Sequence, residues 1–267
     1  KDKIILHAVC DEFLYEAFTK SFIRDSYASQ VGKGVHDGLN RLKFFMHKYY
    51  KEHGADGWVL KADVSKFFAS IPHDLLKKMC ADCTDDPDML NVLYSIIDAT
   101  VGLPLGFQTS QLFALKTLDP LDHMVKEKYR VKYYGRYMDD FFIIHEDKEF
   151  LQELLVVIEK HLADIGLTLN SKTHIFPLRN GIDFLGFHTY LNEDGSVVRK
   201  LRRSSKERMR RKLKLYKFLY QNGKITKEEI DGSYQSWRAH AMHGDCFRLV
   251  QKFDGLYADI FNDKEAQ

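Results

Sequence analysis

Residues 130–145 read RVKYYGRYMDDFFIIH, and two adjacent carboxylates, Asp139 and Asp140, stand in the middle of this aromatic and aliphatic run. Apolar stretches on both sides of a short polar break predict a β-hairpin with the pair at its turn. A buried carboxylate without a partner is costly. No Lys or Arg follows the pair within four residues, and the nearest cation before it is Arg136. Carboxylates so placed point to a divalent metal and to phosphoryl transfer. Asp is also common in plain hairpin turns. On its own the stretch supports a metal site and a simple turn equally.

The rest of the composition narrows the classes. The chain has 267 residues, enough for one large domain or two small ones, with 45% hydrophobic and 29% charged residues. No apolar run approaches the roughly 20 residues that span a bilayer, and no signal-peptide pattern is present. Four cysteines do not make a disulfide framework, which predicts a reduced, cytoplasmic setting. Cys80 and Cys83 have metal-ligand spacing, but no second pair follows at a zinc-site interval. Net charge is +2, yet residues 199–214 (RKLRRSSKERMRRKLK) hold ten Lys/Arg and one Glu. That concentration is the footprint of a nucleic-acid contact, with a solvated helix face as the alternative.

Along the chain, apolar spacing predicts helices over residues 4–20, 36–49, 73–100 with a break near Pro87, from about Thr109 onward, and 149–165. Residues 58–64 read as a strand ending beside Ser65-Lys66-Phe67-Phe68. Residues 166–170 are expected to begin another strand region. A further hairpin is expected after Asp183, turning at 192–195, with mostly helix beyond Arg199. This order predicts an α+β fold, an antiparallel sheet backed by helices with a helical C-terminal part. Asp63, at the end of its apolar strand, is a third candidate carboxylate. On a strand neighbouring the hairpin it would complete a set of three able to hold two divalent ions.

The ordered segments then matter more than any one of them: Asp63-x4-Phe68, Gly102-Leu-Pro-Leu-Gly106-x3-Ser110, Tyr137-Met-Asp-Asp140, Lys172, and Phe184-Leu-Gly-Phe187. Together they resemble the successive palm motifs of bacterial reverse transcriptases, the lineage of group II intron maturases and retrons. The resemblance covers essentially the whole chain. It implies a right-hand polymerase, with fingers over 1–56, palm over 57–198 carrying finger helices at about 73–100, and a helical thumb over 199–267. Relatives carry further N-terminal finger sequence, so the chain is expected to begin inside that region.

By the same resemblance Asp63, Asp139 and Asp140 are metal-binding carboxylates for two Mg²⁺ ions, or Mn²⁺ in their place, and Val64 offers a backbone carbonyl. Phe68 matches the steric gate that excludes a 2′-hydroxyl. Gly106 matches the place where backbone passes close beneath primer or nucleotide, and Lys172 the lysine near the departing pyrophosphate. Phe184, Leu185 and Gly186 belong to the primer grip. Gln30 stands where maturases often carry Arg, and Lys33 is expected to supply that charge toward nucleic acid. Arg202, Arg203, Arg210 and Arg211 open the thumb and are expected to contact the duplex. The implied partners are an RNA template, a DNA primer and deoxynucleoside triphosphates, with no membrane.

One segment discriminates among subfamilies. Group II and retron enzymes usually read Pro-Gln-Gly-x3-Ser-Pro, whereas this chain has Pro104-Leu-Gly-Phe-Gln-Thr-Ser-Gln111. Leu105 and Gln111 look like the form found in diversity-generating retroelement reverse transcriptases, which make mutagenised cDNA. That resemblance implies a structured retroelement RNA and a small helical accessory protein as further partners. The other readings are a related enzyme of phage defence or of an intron, and a non-catalytic RNA-binding scaffold.

Overall fold

The computed structural model describes residues 2–104 and 106–262. The chain divides into two compact units, Lys1–Asn180 and Gly181–Gln267.

The first unit opens with α1 (Asp2–Val9), a π-helical turn at Cys10–Leu14 and α2 (Tyr15–Thr19). The expected N-terminal helix is thus present but interrupted at its middle. Then come α3 (Val35–His53), β1 (Trp58–Ala62), α4 (Phe67–Ser70), α5 (His73–Ala81), α6 (Pro87–Asp98), α7 (Gln108–Thr117) and α8 (Asp119–His123). Asp86 caps α6 by accepting from the N–H groups of Asp88 and Met89, and Pro87 occupies the first turn, which explains the break in the 73–100 helical stretch. The hairpin β2 (Tyr133–Tyr137) and β3 (Asp140–His145) leads into α9 (Lys148–Asp164) and β4 (His174–Pro177).

These strands form an antiparallel sheet in the order β2-β3-β1-β4. The expected strand at 166–170 is corrected. Gly166, at φ +77, breaks the chain after α9, and the segment contributes only the isolated bridge Val64↔Leu169 before the ladder resumes at His174.

Register decides what each face of the sheet carries. Leu60, Ala62, Phe141, Ile143 and Tyr134 share one face and belong to the main core with Leu115 of α7 and Leu154 and Ile158 of α9. The opposite face carries Val59, Lys61, Phe142, Ile144, Tyr133 and Tyr137. At one end of that face α3 supplies Phe45 and Tyr49, whose rings meet Tyr133 edge-on at 5.7 and 5.5 Å. The other end carries Lys61 and Asp140, both only partly buried.

The second unit contains β5 (Ile182–Phe184), β6 (Phe187–Leu191) and β7 (Val197–Leu201) in one antiparallel sheet, followed by α10 (Arg203–Gln221), α11 (Lys227–Ala241) and α12 (Phe247–Ala258). The turn expected at 192–195 is present between β6 and β7. Met209, Leu213 and Tyr216 of α10 pack with Ile230, Tyr234 and Phe253, so the basic positions of α10 lie on its remaining faces. A capping box between Thr226 and Glu229 starts α11. Among the described residues no helix is long and apolar enough to cross a membrane.

Candidate active site

Asp63 follows β1, and its position is fixed from one side by the 168–170 segment. Asn170 N–H donates to the Asp63 carbonyl at 2.7 Å, Ser65 N–H donates to the Thr168 carbonyl at 2.8 Å, and the Asn170 amide reaches the Asp63 carboxylate at 3.3 Å. This is the non-hydrogen-bonded type of antiparallel pair, in which the two facing residues, Val64 and Leu169, turn their own N–H and carbonyl away from each other. Val64 therefore directs its carbonyl toward the edge on which β3 pairs with β1.

The two adjacent carboxylates occupy different places. Tyr137 pairs with Asp140, so the hairpin loop is Met138–Asp139 and Asp140 is the first residue of β3. The turn lies one residue earlier than the sequence suggests, because only Met138 takes a positive φ, +60. Asp139 carries a carboxyl pushed up to about 6, first by burial and then by Asp63, which acts as a like charge and as a hydrogen-bond partner. Asp140 instead forms an ion pair with Lys61. In the β1–β3 register Lys61 faces Phe142, so its partner is the diagonal neighbour on the same face.

Of the three carboxylates expected at the site, Asp63 and Asp139 act on each other directly, and Asp140 is matched by a lysine. Among the described residues no group of three or more His, Cys, Asp or Glu is arranged to hold a metal. The pair itself suits a divalent ion: two carboxyl groups in a partly buried site repel each other, and a cation between them removes that repulsion.

Arg136 favours the charged form of Asp139 only as the smallest of the influences on that carboxyl, because its guanidinium is committed elsewhere. It is fully buried, pairs with Asp122 through Nε at 2.7 Å and through Nη2, and donates from Nη1 to the Met138 carbonyl at 2.7 Å. Asp122 on α8 carries no signal in the sequence, where Asp119-Pro-Leu-Asp-His123 reads as an ordinary helical turn.

Phe67 is buried in the core, whereas Phe68 beside it is partly exposed. The Phe68 carbonyl accepts from Leu103 N–H at 2.7 Å. Gly102 makes this approach feasible. It sits at φ +65, and a Cβ there would meet Ala69 Cα, Ala69 O and Phe68 O at 2.8 Å each. Gly106, at φ +94, is exposed with open space where a Cβ would be. Leu105 lies outside the described residues. Gln111 accepts from the Ser29 hydroxyl at 2.5 Å, which ties α7 to the 26–34 loop. Lys33 donates to the carbonyls of Ile23 and Ser26 at 3.1 and 3.0 Å, and burial holds its ammonium below the usual lysine range. Lys172 is exposed in the turn before β4, its N–H bonded to the Asn170 side chain at 3.1 Å.

In the second unit, Leu185 and Gly186 form a two-residue hairpin loop with φ +49 and +87, the signature of a type I′ turn. Phe184 beneath it is buried. Arg202 pairs with Asp183 at 3.1 Å and Arg203 with Glu207 at 2.6 Å. The Arg210 guanidinium lies 5.9 Å from the Phe253 ring centre, and Arg211 is exposed. Cys80 is a buried thiol pushed up to about 12 by that burial.

Residues 3–189 match the family model described as reverse transcriptase (RNA-dependent DNA polymerase). No curated protein matches the chain by sequence. Among solved structures, the chain is similar to telomerase from Candida albicans in complex with the TWJ fragment of telomeric RNA, with TM-score 0.55 and 15% identity over 97% of this chain and 46% of that one. It is also similar to apo telomerase from Candida tropicalis, with TM-score 0.53 and 15% identity over 75% of this chain and 40% of that one. At these identities the likeness is one of fold, and the chain spans less than half the length of each solved chain.

Proposed function

Because the chain belongs to the reverse transcriptase (RNA-dependent DNA polymerase) family, we propose that it extends a DNA primer on an RNA template by metal-assisted nucleotidyl transfer. The observation that carries this reading is the register of the sheet: Ala62 faces Phe141 and Tyr137 faces Asp140, so Asp63 and the turn residue Asp139 come from two separate chain segments to the same end of the sheet, both partly buried. Asp63, Asp139 and the Val64 carbonyl would hold the divalent ions, with Mg²⁺ the expected species. Bound there, the ions would activate the primer 3′-hydroxyl and stabilise the leaving pyrophosphate. The chain's own residues do the positioning. Asn170 orients the Asp63 carboxylate, and Lys61 neutralises Asp140 so that the pair faces no third negative charge. Phe68, held by Leu103, would lie under the sugar and favour deoxynucleotides. Lys172 is assigned to the pyrophosphate side and the Leu185–Gly186 turn to the primer end. The limits 1–56, 57–198 and 199–267 are the proposed fingers, palm and thumb.

The finer proposal is the error-prone enzyme of a diversity-generating retroelement, supported by Leu105 and Gln111 in the Leu-Gly-x3-Ser-Gln segment. A leucine at 105 cannot make the hydrogen bond that Gln offers, a loss of about 0.5–1.5 kcal/mol in discrimination. Leu105→Gln is expected to lower misincorporation opposite template adenine, and an unchanged error spectrum would remove this reading. The test of the general function is primer extension on RNA with Mg²⁺. Wild type should extend and Asp139→Ala/Asp140→Ala should not; extension by the double variant overturns the site.

A further inference from the structure

The loop that carries Asp139 has an unusual occupant. In a two-residue hairpin with positive φ at the first position only, Gly is the usual residue there, yet position 138 is Met at φ +60. A side chain in that conformation is held against its own preference. The holding group is visible. Arg136 Nη1 donates to the Met138 carbonyl at 2.7 Å, while Nε and Nη2 grip Asp122. Asp122 is further bound by the Tyr134 hydroxyl at 2.5 Å. The backbone of Arg136 is pinned as well, its N–H donating to the Asp25 carbonyl and its carbonyl accepting from Tyr27 N–H, both at 3.0 Å.

We propose that Arg136 is a positioning residue for Asp139: braced on Asp122, its guanidinium keeps Met138 left-handed and so turns the Asp139 carboxylate toward Asp63. The proposal rests on the polymerase reading for its purpose but is read out on metal binding. Three donors of one planar fork are used at once, two on a carboxylate and one on a carbonyl. A lysine keeps the charge and cannot reproduce that fork. Without it the Met138 carbonyl loses its donor, φ relaxes to negative values, and the next carboxylate leaves the pair. Glycine at 138 would remove the need for the brace, since it adopts positive φ without steric cost.

The experiment titrates the full chain with Mn²⁺, read by water-proton relaxation, with loss of the signal in Asp139→Asn assigning it to the site. Arg136→Lys, confirmed folded by circular dichroism, should bind Mn²⁺ about tenfold more weakly. Arg136→Lys/Met138→Gly should return to within about threefold of Met138→Gly alone. Unchanged affinity in folded Arg136→Lys, or a loss that glycine does not repair, overturns the proposal. A merely structural role would lower the melting temperature without that repair. Should Arg136→Lys not fold, Met138→Val leaves the buried ion pair intact and disfavours positive φ. Weaker Mn²⁺ binding then supports the brace, and unchanged binding overturns it. If wild type binds Mn²⁺ but extends no primer, the proposed function fails while this inference is still judged on binding.

Discussion

Lys61 of β1 and Asp140 of β3 form an ion pair diagonally across the ladder, so one of the two adjacent carboxylates is neutralised by protein and the other is not. Lys61 is mostly buried and Asp140 about one third exposed, with side-chain exposures of 15% and 34%, a setting between a surface and a core ion pair. A double-mutant cycle of Lys61→Met and Asp140→Asn, followed by urea unfolding, should give a coupling of roughly 1 kcal/mol. A coupling near zero would mean that the pair does not distinguish the two carboxylates.

Asp139 leads to a pH prediction. Its folded carboxyl is pushed up to about 6, above its ordinary value of 3.8, so between those values the folded state holds a proton that the unfolded state has released. Stability of the metal-free protein therefore falls as pH rises from about 4 to 6. Asp139→Asn should remove this loss and stabilise the metal-free protein at pH 7–8 by roughly 1–2 kcal/mol, allowing for solvent screening. Divalent-ion affinity should change oppositely, weakening up to about tenfold per pH unit below pH 6 as the carboxyl protonates. Thermal unfolding and Mn²⁺ titration across pH 4–8 check both signs. A flat stability profile in wild type would refute the like-charge pairing of Asp63 and Asp139.

What was legible in the sequence was what depends on local pattern. Asp63 and the adjacent Asp139 and Asp140 stand out together because carboxylates interrupt apolar runs, with nothing to tell Asp139 from Asp140, and the hairpin follows from the apolar runs around the pair. What depends on register across the ladder was not legible. The cation for Asp140 does not lie beside it along the chain; Lys61 arrives from β1 by pairing. The brace of Arg136 on Asp122 needs α8 folded beside β2, which no spacing announces. Residues 166–170 have strand-like alternation, but Gly166 reverses the chain and the ladder restarts only at His174. Lys33 has the residue type of a nucleic-acid contact, and its bonds to Ile23 and Ser26 give it a structural task that sequence does not reveal.

Gly102 links stability to sugar choice. Gly102→Ala places a Cβ 2.8 Å from the Phe68 carbonyl and from the Ala69 backbone, at a φ of +65. The cost expected is about 2–3 kcal/mol, and the relaxation must move the Leu103–Phe68 hydrogen bond. If Phe68 is the gate, ribonucleotide incorporation rises together with the loss of stability. Single-nucleotide extension with ribo- and deoxynucleoside triphosphates measures the ratio. Loss of stability with an unchanged ratio would separate Phe68 from sugar selection.

The basic start of the second unit is expected to hold nucleic acid through phosphates, and its arginines are not equivalent. Arg202 and Arg203 already face Asp183 and Glu207, whereas Arg211 is exposed and Arg210 lies beside the Phe253 ring. An arginine engaged with a carboxylate must give up that partner to bind phosphate, which reduces its net contribution. Arg210→Gln/Arg211→Gln should therefore weaken template–primer binding more than Arg202→Gln/Arg203→Gln. Every phosphate that a variant no longer neutralises should also lower the slope of log affinity against log salt by about 0.9. Fluorescence anisotropy with a labelled RNA–DNA duplex at several salt concentrations gives both quantities. Equal losses from the two pairs would show that their acidic partners do not matter, and wild-type slopes in both would remove α10 from the duplex interface.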